Sequence, residues 1–158
     1  MSAYALRIQS KDLVGGVSHD DEHCRYDSVP VELKALRAWL PFRIELRLSQ
    51  DNKAKKLKVP YNISGRKADY TNPGEWMTFE SARSMLRRGD YDGIGIVIDR
   101  RLGIVGYDAD ACISNGTISA TAREHIAALN TYTEESLSGT GIHCLAYGTL
   151  PPKGRKSD

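Results

Sequence analysis

The stretch LGIVGYDAD, residues 102–110, is an apolar run that ends in two carboxylates, Asp108 and Asp110. A short apolar run of this kind predicts a buried strand. Because side chains alternate between the two faces of a strand, Asp108 and Asp110 are expected to project from one face, about 7 Å apart. Mg²⁺ takes oxygen ligands and is commonly held by one or two carboxylates together with substrate phosphates. The stretch therefore predicts a strand and a site for a divalent cation.

A second motif, SGTGIH at residues 138–143, follows about 30 residues later. The backbone N–H groups of a Gly-rich turn can bind phosphate oxygens, so Ser138, Gly139 and Thr140 are candidate nucleotide-binding residues. The imidazole of His143 could contact the same phosphates. Two ordinary alternatives stay open, a flexible turn and a structural histidine. A helix over 119–130 is long enough to return the chain to the sheet that carries Asp108.

The remaining elements follow from hydrophobic spacing and capping residues. A helix is predicted from Ser28 to Leu40, with Pro41 ending it, and Thr78 is predicted to cap a second helix. Thr121 and Glu124 predict a capping box for a third helix. Strands are predicted over 42–48, 56–61, 94–98 and 142–147, with 94–98 forming a hairpin with the strand of Asp108. This order favours an α+β fold with a mainly antiparallel sheet, in which residues 1–27 form a flexible tail and 28–158 one domain.

Composition narrows the class of protein without selecting a function. The chain has 158 residues and a formal net charge of +2, which permits a nucleic-acid partner without requiring one. Its three cysteines contain no Cys-x-x-Cys pair, so reduced thiols in the cytoplasm are expected. A mixed-ligand zinc site, with Cys112 near Asp110 and Cys144 beside His143, is a minor alternative. No apolar stretch approaches the roughly 20 residues of a membrane span.

Several motifs occur in one order along the chain. They are KVPY (58–61), GRKADYTNP (65–73), WMTFESA (76–82), YDGIG (91–95), DAD (108–110), YTE (132–134) and SGTGIH (138–143). This ordered set resembles the N-terminal primase-polymerase domain of phage and plasmid replication proteins, within the archaeo-eukaryotic primase superfamily. The resemblance extends over roughly residues 30–155.

The resemblance implies a fold and a reaction. Members of this family join an α/β N-terminal unit to a catalytic unit like an RNA-recognition motif. They make primers or extend DNA from NTPs or dNTPs on a single-stranded template, with Mg²⁺ or Mn²⁺ as cofactor. Asp108 and Asp110 match the metal-binding acidic motif, while Ser138 and His143 match the motif that touches the triphosphate. Lys58 and Arg66 are candidates to offset phosphate charge. A replicative helicase, as a domain or a separate protein, is a further expected partner.

One departure from the family pattern leaves alternatives open. The family has a third acidic motif on a later strand, and the sequence ends at Asp158 where that strand is expected. The sequence is therefore expected to be an incomplete, C-terminally truncated primase-polymerase domain, with a second metal ion short of ligands. A remnant that only binds nucleotide or single-stranded DNA is one alternative. A metal-dependent phosphodiesterase or nuclease is another, because the same carboxylates could activate water.

Overall fold

In the computed structural model, residues 26, 28–48, 52, 54–136 and 138–151 are described. Their contacts form two units, the first within Val31–Val97 and the second from Ile98 onward together with residues 26 and 28–30. The predicted tail, 1–27, lies outside the described residues except for Tyr26, which is buried. The single domain predicted over 28–158 stays a prediction. No helix among the described residues is long and apolar enough to span a membrane.

The first unit is built on a three-stranded antiparallel sheet. Strands β1 (Trp39–Leu48), β2 (Ala54–Pro60) and β3 (Gly93–Ile96) lie in the order β2-β1-β3. Two helices, α1 (Val31–Lys34) and α2 (Phe79–Leu86), accompany the sheet. The strands predicted over 42–48, 56–61 and 94–98 are thus confirmed in their type, with boundaries shifted by a few residues.

The predicted first helix is wrong beyond its first turn. It ends at Lys34, and β1 already includes Leu40 and Pro41. The ring of a proline disfavours the helical region for the residue before it, and Leu40 adopts the extended conformation of β1. Pro41 lies opposite Ile94 of β3, and its carbonyl accepts the backbone N–H of Tyr61. The spacing of Leu33, Leu36 and Leu40 is typical of a helix, but Leu40 and Pro41 lie in strand β1.

The core of the first unit lies where α2 covers β1 and β3. The rings of Trp39 and Phe79 meet edge to face with centroids 5.0 Å apart. Phe42 is fully buried, and a side chain at Gly93 would come within 2.6 Å of its ring. Thr78 caps α2 as predicted, since its side chain accepts the backbone N–H of Ser81. At the far end of β1 the two last leucines, Leu46 and Leu48, are exposed.

Between residues 98 and 151, the described part of the second unit forms five strands and one α-helix. They are β4 (Ile104–Ala109), β5 (Ile113–Ser114), β6 (Thr117–Ile118), α3 (Ala120–Leu129), β7 (Tyr132–Glu135) and β8 (Ile142–Tyr147). Strands β4, β8 and β7 form an antiparallel sheet in that order, and β5 pairs with β6. The strand predicted over 142–147 is confirmed, as is the α+β class with mainly antiparallel sheets.

The predicted hairpin between 94–98 and the strand of Asp108 is wrong. β3 pairs with β1 in the first sheet, whereas β4 pairs with β8 in the second. Between them the chain makes a short 3₁₀ turn, Arg100–Leu102, capped by the side chain of Asp99. Gly103 then adopts a left-handed conformation with φ of 64°, which directs the chain into β4. The turn itself is confirmed, but it connects two sheets.

Helix α3 packs on one face of the second sheet. A buried cluster of Ile113, Ala122, Ile142 and Cys144 joins the helix to the sheet, and Tyr107 and Ala109 of β4 pack against it. The capping box predicted at Thr121 and Glu124 is wrong, because the cap is Ser119, whose side chain accepts the backbone N–H of Ala122. Since alternate residues of β4 and β8 are buried beneath α3, their other side chains belong to the opposite face.

Candidate functional site

Asp108, His143 and Glu134 form one row across the three strands of the second sheet. Asp108 of β4 lies opposite His143 of β8, and His143 lies opposite Glu134 of β7. Residues that are directly opposite in antiparallel strands place their side chains on the same face, close enough to interact. The row therefore brings two carboxylates to either side of one imidazole, on the face away from α3.

The side-chain atoms confirm that the row is in contact. His143 Nε2 lies 3.5 Å from Asp108 Oδ1, and His143 Nδ1 lies 3.4 Å from Glu134 Oε1. Burial increases across the row, with exposed side-chain fractions of 34% for Asp108, 16% for His143 and 7% for Glu134. The row is therefore open to solvent at its Asp108 end and closed at its Glu134 end.

The sequence predicts Asp110 on the same strand as Asp108, but the strand ends before Asp110. β4 ends at Ala109, so Asp110 is the first residue of the following turn, where Ala111 has a positive φ of 51°. Strand alternation therefore does not by itself fix the direction of the Asp110 side chain. Asp110 is exposed, and its Cα approaches the Gly-rich loop at Gly141. The turn thus places Asp110 next to the end of β4, where the Gly-rich loop also passes.

The Gly-rich loop closes the hairpin between β7 and β8. The Ser136 N–H donates to the Gly141 carbonyl over 2.7 Å, and the buried Ser136 hydroxyl accepts the N–H of Gly141. The hydroxyl of Ser138 lies 2.9 Å from that of Ser136 and 2.7 Å from that of Thr140. The N–H of Gly139 donates to the Ser136 carbonyl. Backbone donors of the predicted phosphate site are thus engaged within the loop, while Ser138 and Thr140 are exposed.

Lys58 and Arg66, the two predicted phosphate-binding cations, belong to the first unit. Lys58 lies on β2 with its Nζ 5.7 Å from the centre of the Phe42 ring. Arg66 is exposed in the loop after β2, where its backbone N–H donates to the side chain of Asn62. Of the predicted site residues, Asp108 and His143 lie in the row on the second sheet. Asp110 directly follows β4, and the 138–140 loop precedes β8.

The zinc alternative receives no support among the described residues. No group of three or more His, Cys, Asp or Glu side chains among them has the geometry to hold a metal ion. Cys144 lies in the buried cluster under α3, where burial raises the pKa of its thiol. A thiol with a raised pKa is a poor metal ligand, because the thiolate is the form that binds metal.

Glu134 is the residue of this site that the sequence interpretation did not assign. It lies in the YTE motif, but a carboxylate in a short polar strand has many ordinary explanations. The signal that could have found it is the spacing Tyr132-x-Glu134, which places both side chains on one face of a strand. The pairing with His143 needs the register of β7 against β8, which comes from the tertiary structure.

Comparison with known proteins gives one informative similarity. No protein-family model matches the chain. The chain is 33% identical over 102 residues to a DNA primase-polymerase of Nitratiruptor phage NrS-1. The aligned region covers 63% of this chain and 14% of that protein, so the chain spans a small part of the length of the curated relative that it matches. The sequence similarity relates this chain to a phage DNA primase-polymerase.

Proposed function

We propose that this chain belongs to the catalytic part of a primase-polymerase of the archaeo-eukaryotic primase superfamily. Its reaction is transfer of a nucleotide from an NTP or dNTP to a 3′-hydroxyl, templated by single-stranded DNA during replication of mobile DNA. The observation that carries the proposal is the row Asp108–His143–Glu134, with the Gly-rich loop passing close to the end of β4. The similarity to a phage DNA primase-polymerase supports it.

The carboxylates of Asp108 and Asp110 are proposed to hold Mg²⁺ or Mn²⁺. Asp108 is at the open end of the row, and Asp110 is exposed in the adjacent turn. Two carboxylates suit a cation that completes its coordination with water and substrate phosphates. When bound there, such an ion would supply positive charge that offsets the negative charge of the reacting phosphates.

His143 and the hydroxyls of Ser138 and Thr140 are proposed to bind the triphosphate. Imidazole N–H and hydroxyl groups donate to phosphate oxygens, and at Gly141 the loop passes close to the end of β4. Holding the triphosphate beside Asp108 would place its charge where the cation is held. That Lys58 and Arg66 offset phosphate charge stays a proposal from the sequence.

Primer extension tests the proposal. The chain is given a primed single-stranded template with Mn²⁺ and either dNTPs or NTPs, and Asp108→Ala/Asp110→Ala is compared with Glu124→Ala, which removes an exposed carboxylate from α3. We expect incorporation to fall by about 10²-fold or more in the double variant, because transition-state charge loses its compensation, and to be unchanged in the control. Equal incorporation by both variants would contradict the assignment.

The same reactions separate the alternatives. Degradation of the single strand in Mn²⁺ without added nucleotide would favour a nuclease. Binding of nucleotide without extension would favour a remnant that binds only. His143→Gln supplies a second readout, because Gln keeps a polar group beside Glu134 while the imidazole is removed. We expect weaker nucleotide affinity with little change in melting temperature, whereas a large loss of stability would support a structural histidine.

A further inference from the structure

The carboxylate of Glu134 is almost completely buried, so some interaction must compensate for its lost hydration. Its side chain is 7% exposed. A buried carboxylate is costly unless hydrogen bonds or opposite charge compensate for the water that it gives up. Among the described residues, the Tyr132 hydroxyl lies 2.9 Å from Oε2 and His143 Nδ1 lies 3.4 Å from Oε1. Each carboxylate oxygen therefore faces a different group.

Tyr132 is held as a hydrogen-bond donor to Glu134. Burial, followed by the negative charge of Glu134, raises the pKa of Tyr132 well above its ordinary value. The hydroxyl therefore keeps its proton, and it donates to Oε2. Because Tyr132 and Glu134 are two residues apart on β7, the strand presents both on one face. Oε2 is thus occupied, and Oε1 is directed at the imidazole.

The imidazole of His143 has a different neighbour on each nitrogen. Nδ1 is directed at Glu134 on the closed side of the row, and Nε2 at Asp108 on the open side. In a neutral imidazole only one nitrogen carries a proton, and the hydrogen bond made by one nitrogen decides the role of the other. The 3.4 Å contact is long for a hydrogen bond, as is common at catalytic groups before substrate binds.

We propose that Glu134 is a positioning residue that accepts the Nδ1–H of His143 and thereby fixes the ring with Nε2 on the side of Asp108. When both ring nitrogens carry protons, Nε2 can donate to a phosphate oxygen while Nδ1 donates to Glu134. This inference rests on the proposed function for the identity of the ligand. The Tyr132 hydroxyl donates to the other oxygen of this carboxylate. The contacts therefore run from Tyr132 through Glu134 and His143 to Asp108. Carboxylates that orient an imidazole in this way act on metal sites and catalytic sites through the ring that they hold.

Nuclear magnetic resonance of the ¹⁵N-labelled chain tests the orientation without any nucleotide. The signals of His143 are assigned by their disappearance in His143→Gln. In the wild type we expect neutral His143 to carry its proton on Nδ1. In Glu134→Ala we expect a shift toward the Nε2–H form, which unrestrained histidine side chains favour. Glu134→Gln should retain the Nδ1–H form, because its amide oxygen can accept the same proton.

Steady-state primer extension supplies the functional readout. Glu134→Ala should raise KM for the incoming nucleotide by about tenfold, a typical effect of removing a group that orients a ligand side chain. Glu134→Gln should recover most of this loss, and Glu124→Ala, on the exposed surface of α3, should leave KM unchanged. Melting temperatures of all variants show whether a change in KM merely reflects unfolding.

Three outcomes would overturn the inference. They are an unchanged His143 tautomer in Glu134→Ala, a KM equal to that of the control, or a Gln variant as impaired as the Ala variant. Failure of the proposed function has a different signature, because the wild type would neither bind nor incorporate nucleotide while Glu134→Ala still changed the tautomer. The two proposals can therefore fail separately.

Discussion

At the scale of single residues, the site depends on a position that carries no side chain. A Cβ added at Gly141 would lie 2.7 Å from the carbonyl oxygen of Ala109 and 3.2 Å from the Ser136 hydroxyl. The first of these atoms is backbone and cannot rotate away. Gly141 therefore allows the β7–β8 loop to pass against the end of β4, close to the backbone of Asp110.

The substitution Gly141→Ala should consequently lower stability and weaken nucleotide binding together. We expect a loss of about 1–3 kcal/mol in the free energy of unfolding, the usual cost of inserting atoms into a packed position. Urea denaturation followed by circular dichroism measures this loss. Gly148→Ala is the matched control, because its Cβ would make an ordinary 3.6 Å contact with Val105 and should change stability by less than about 0.5 kcal/mol. A Gly141→Ala variant as stable as this control would show that the loop does not need the close approach.

At the scale of elements, the start of α3 is set by the end of the hairpin that precedes it. β6 ends at Ile118, and the next residue, Ser119, has the extended φ and ψ of a helix cap, −59° and 154°. Thr121 lies within the first turn of the helix. The hairpin itself turns at Asn115 and Gly116, both with positive φ, a typical two-residue turn. Asn-Gly is a strong local signal for a hairpin, and the sequence interpretation did not use it.

Two alanine substitutions distinguish the observed cap from the predicted one. Ser119→Ala removes the acceptor for the Ala122 N–H and should reduce the free energy of unfolding by about 1 kcal/mol. Thr121→Ala should be neutral or slightly stabilising, since alanine has the higher helix propensity. Chemical denaturation of both variants measures the difference. If Thr121→Ala is the more damaging change, the capping box predicted from the sequence is correct.

At the scale of the whole molecule, charge is divided unevenly along the chain. Residues 31–97 contain thirteen Lys and Arg against eight Asp and Glu, whereas residues 98–158 contain six against seven. Arg47 and Lys55 lie directly opposite each other in the β1–β2 pair, an arrangement of like charges that costs stability unless an anion compensates. If the chain binds single-stranded DNA as proposed, we expect these cations of the first unit to contact its phosphates.

Single-stranded DNA binding should therefore depend on salt through the first unit. Replacing both Lys55 and Lys56, which are exposed on β2, by Gln should reduce the slope of log K against log salt by roughly 0.7 for each phosphate that is no longer neutralised. Fluorescence anisotropy of a labelled oligonucleotide at several salt concentrations gives the slope. Arg123→Gln removes an exposed cation from α3 and serves as the control. An identical slope in the Lys variant and this control would rule out these lysines as phosphate-binding groups.

The sequence by itself determined the features that depend on neighbouring residues. The apolar run before Asp108 became β4, the Gly-rich segment became a turn leading into β8, and Thr78 capped its helix. The α+β class also followed from the order of these patterns, and the ordered motifs pointed to the relationship with a phage primase-polymerase. Each of these inferences uses periodicity, capping or motif order. Periodicity and capping involve residues close together in the sequence, and motif order is read directly along it.

The tertiary structure alone decided which strands are neighbours. Local patterns could not tell whether β4 pairs with β3 or with β8, because both strands are apolar and strand pairing is chosen by packing over a long sequence distance. The choice of β8 sets Asp108 opposite His143, and the register of β7 adds Glu134. A shift of one residue would turn these side chains to the face under α3. The row exists because the burial of Ile142 and Cys144 fixes that register.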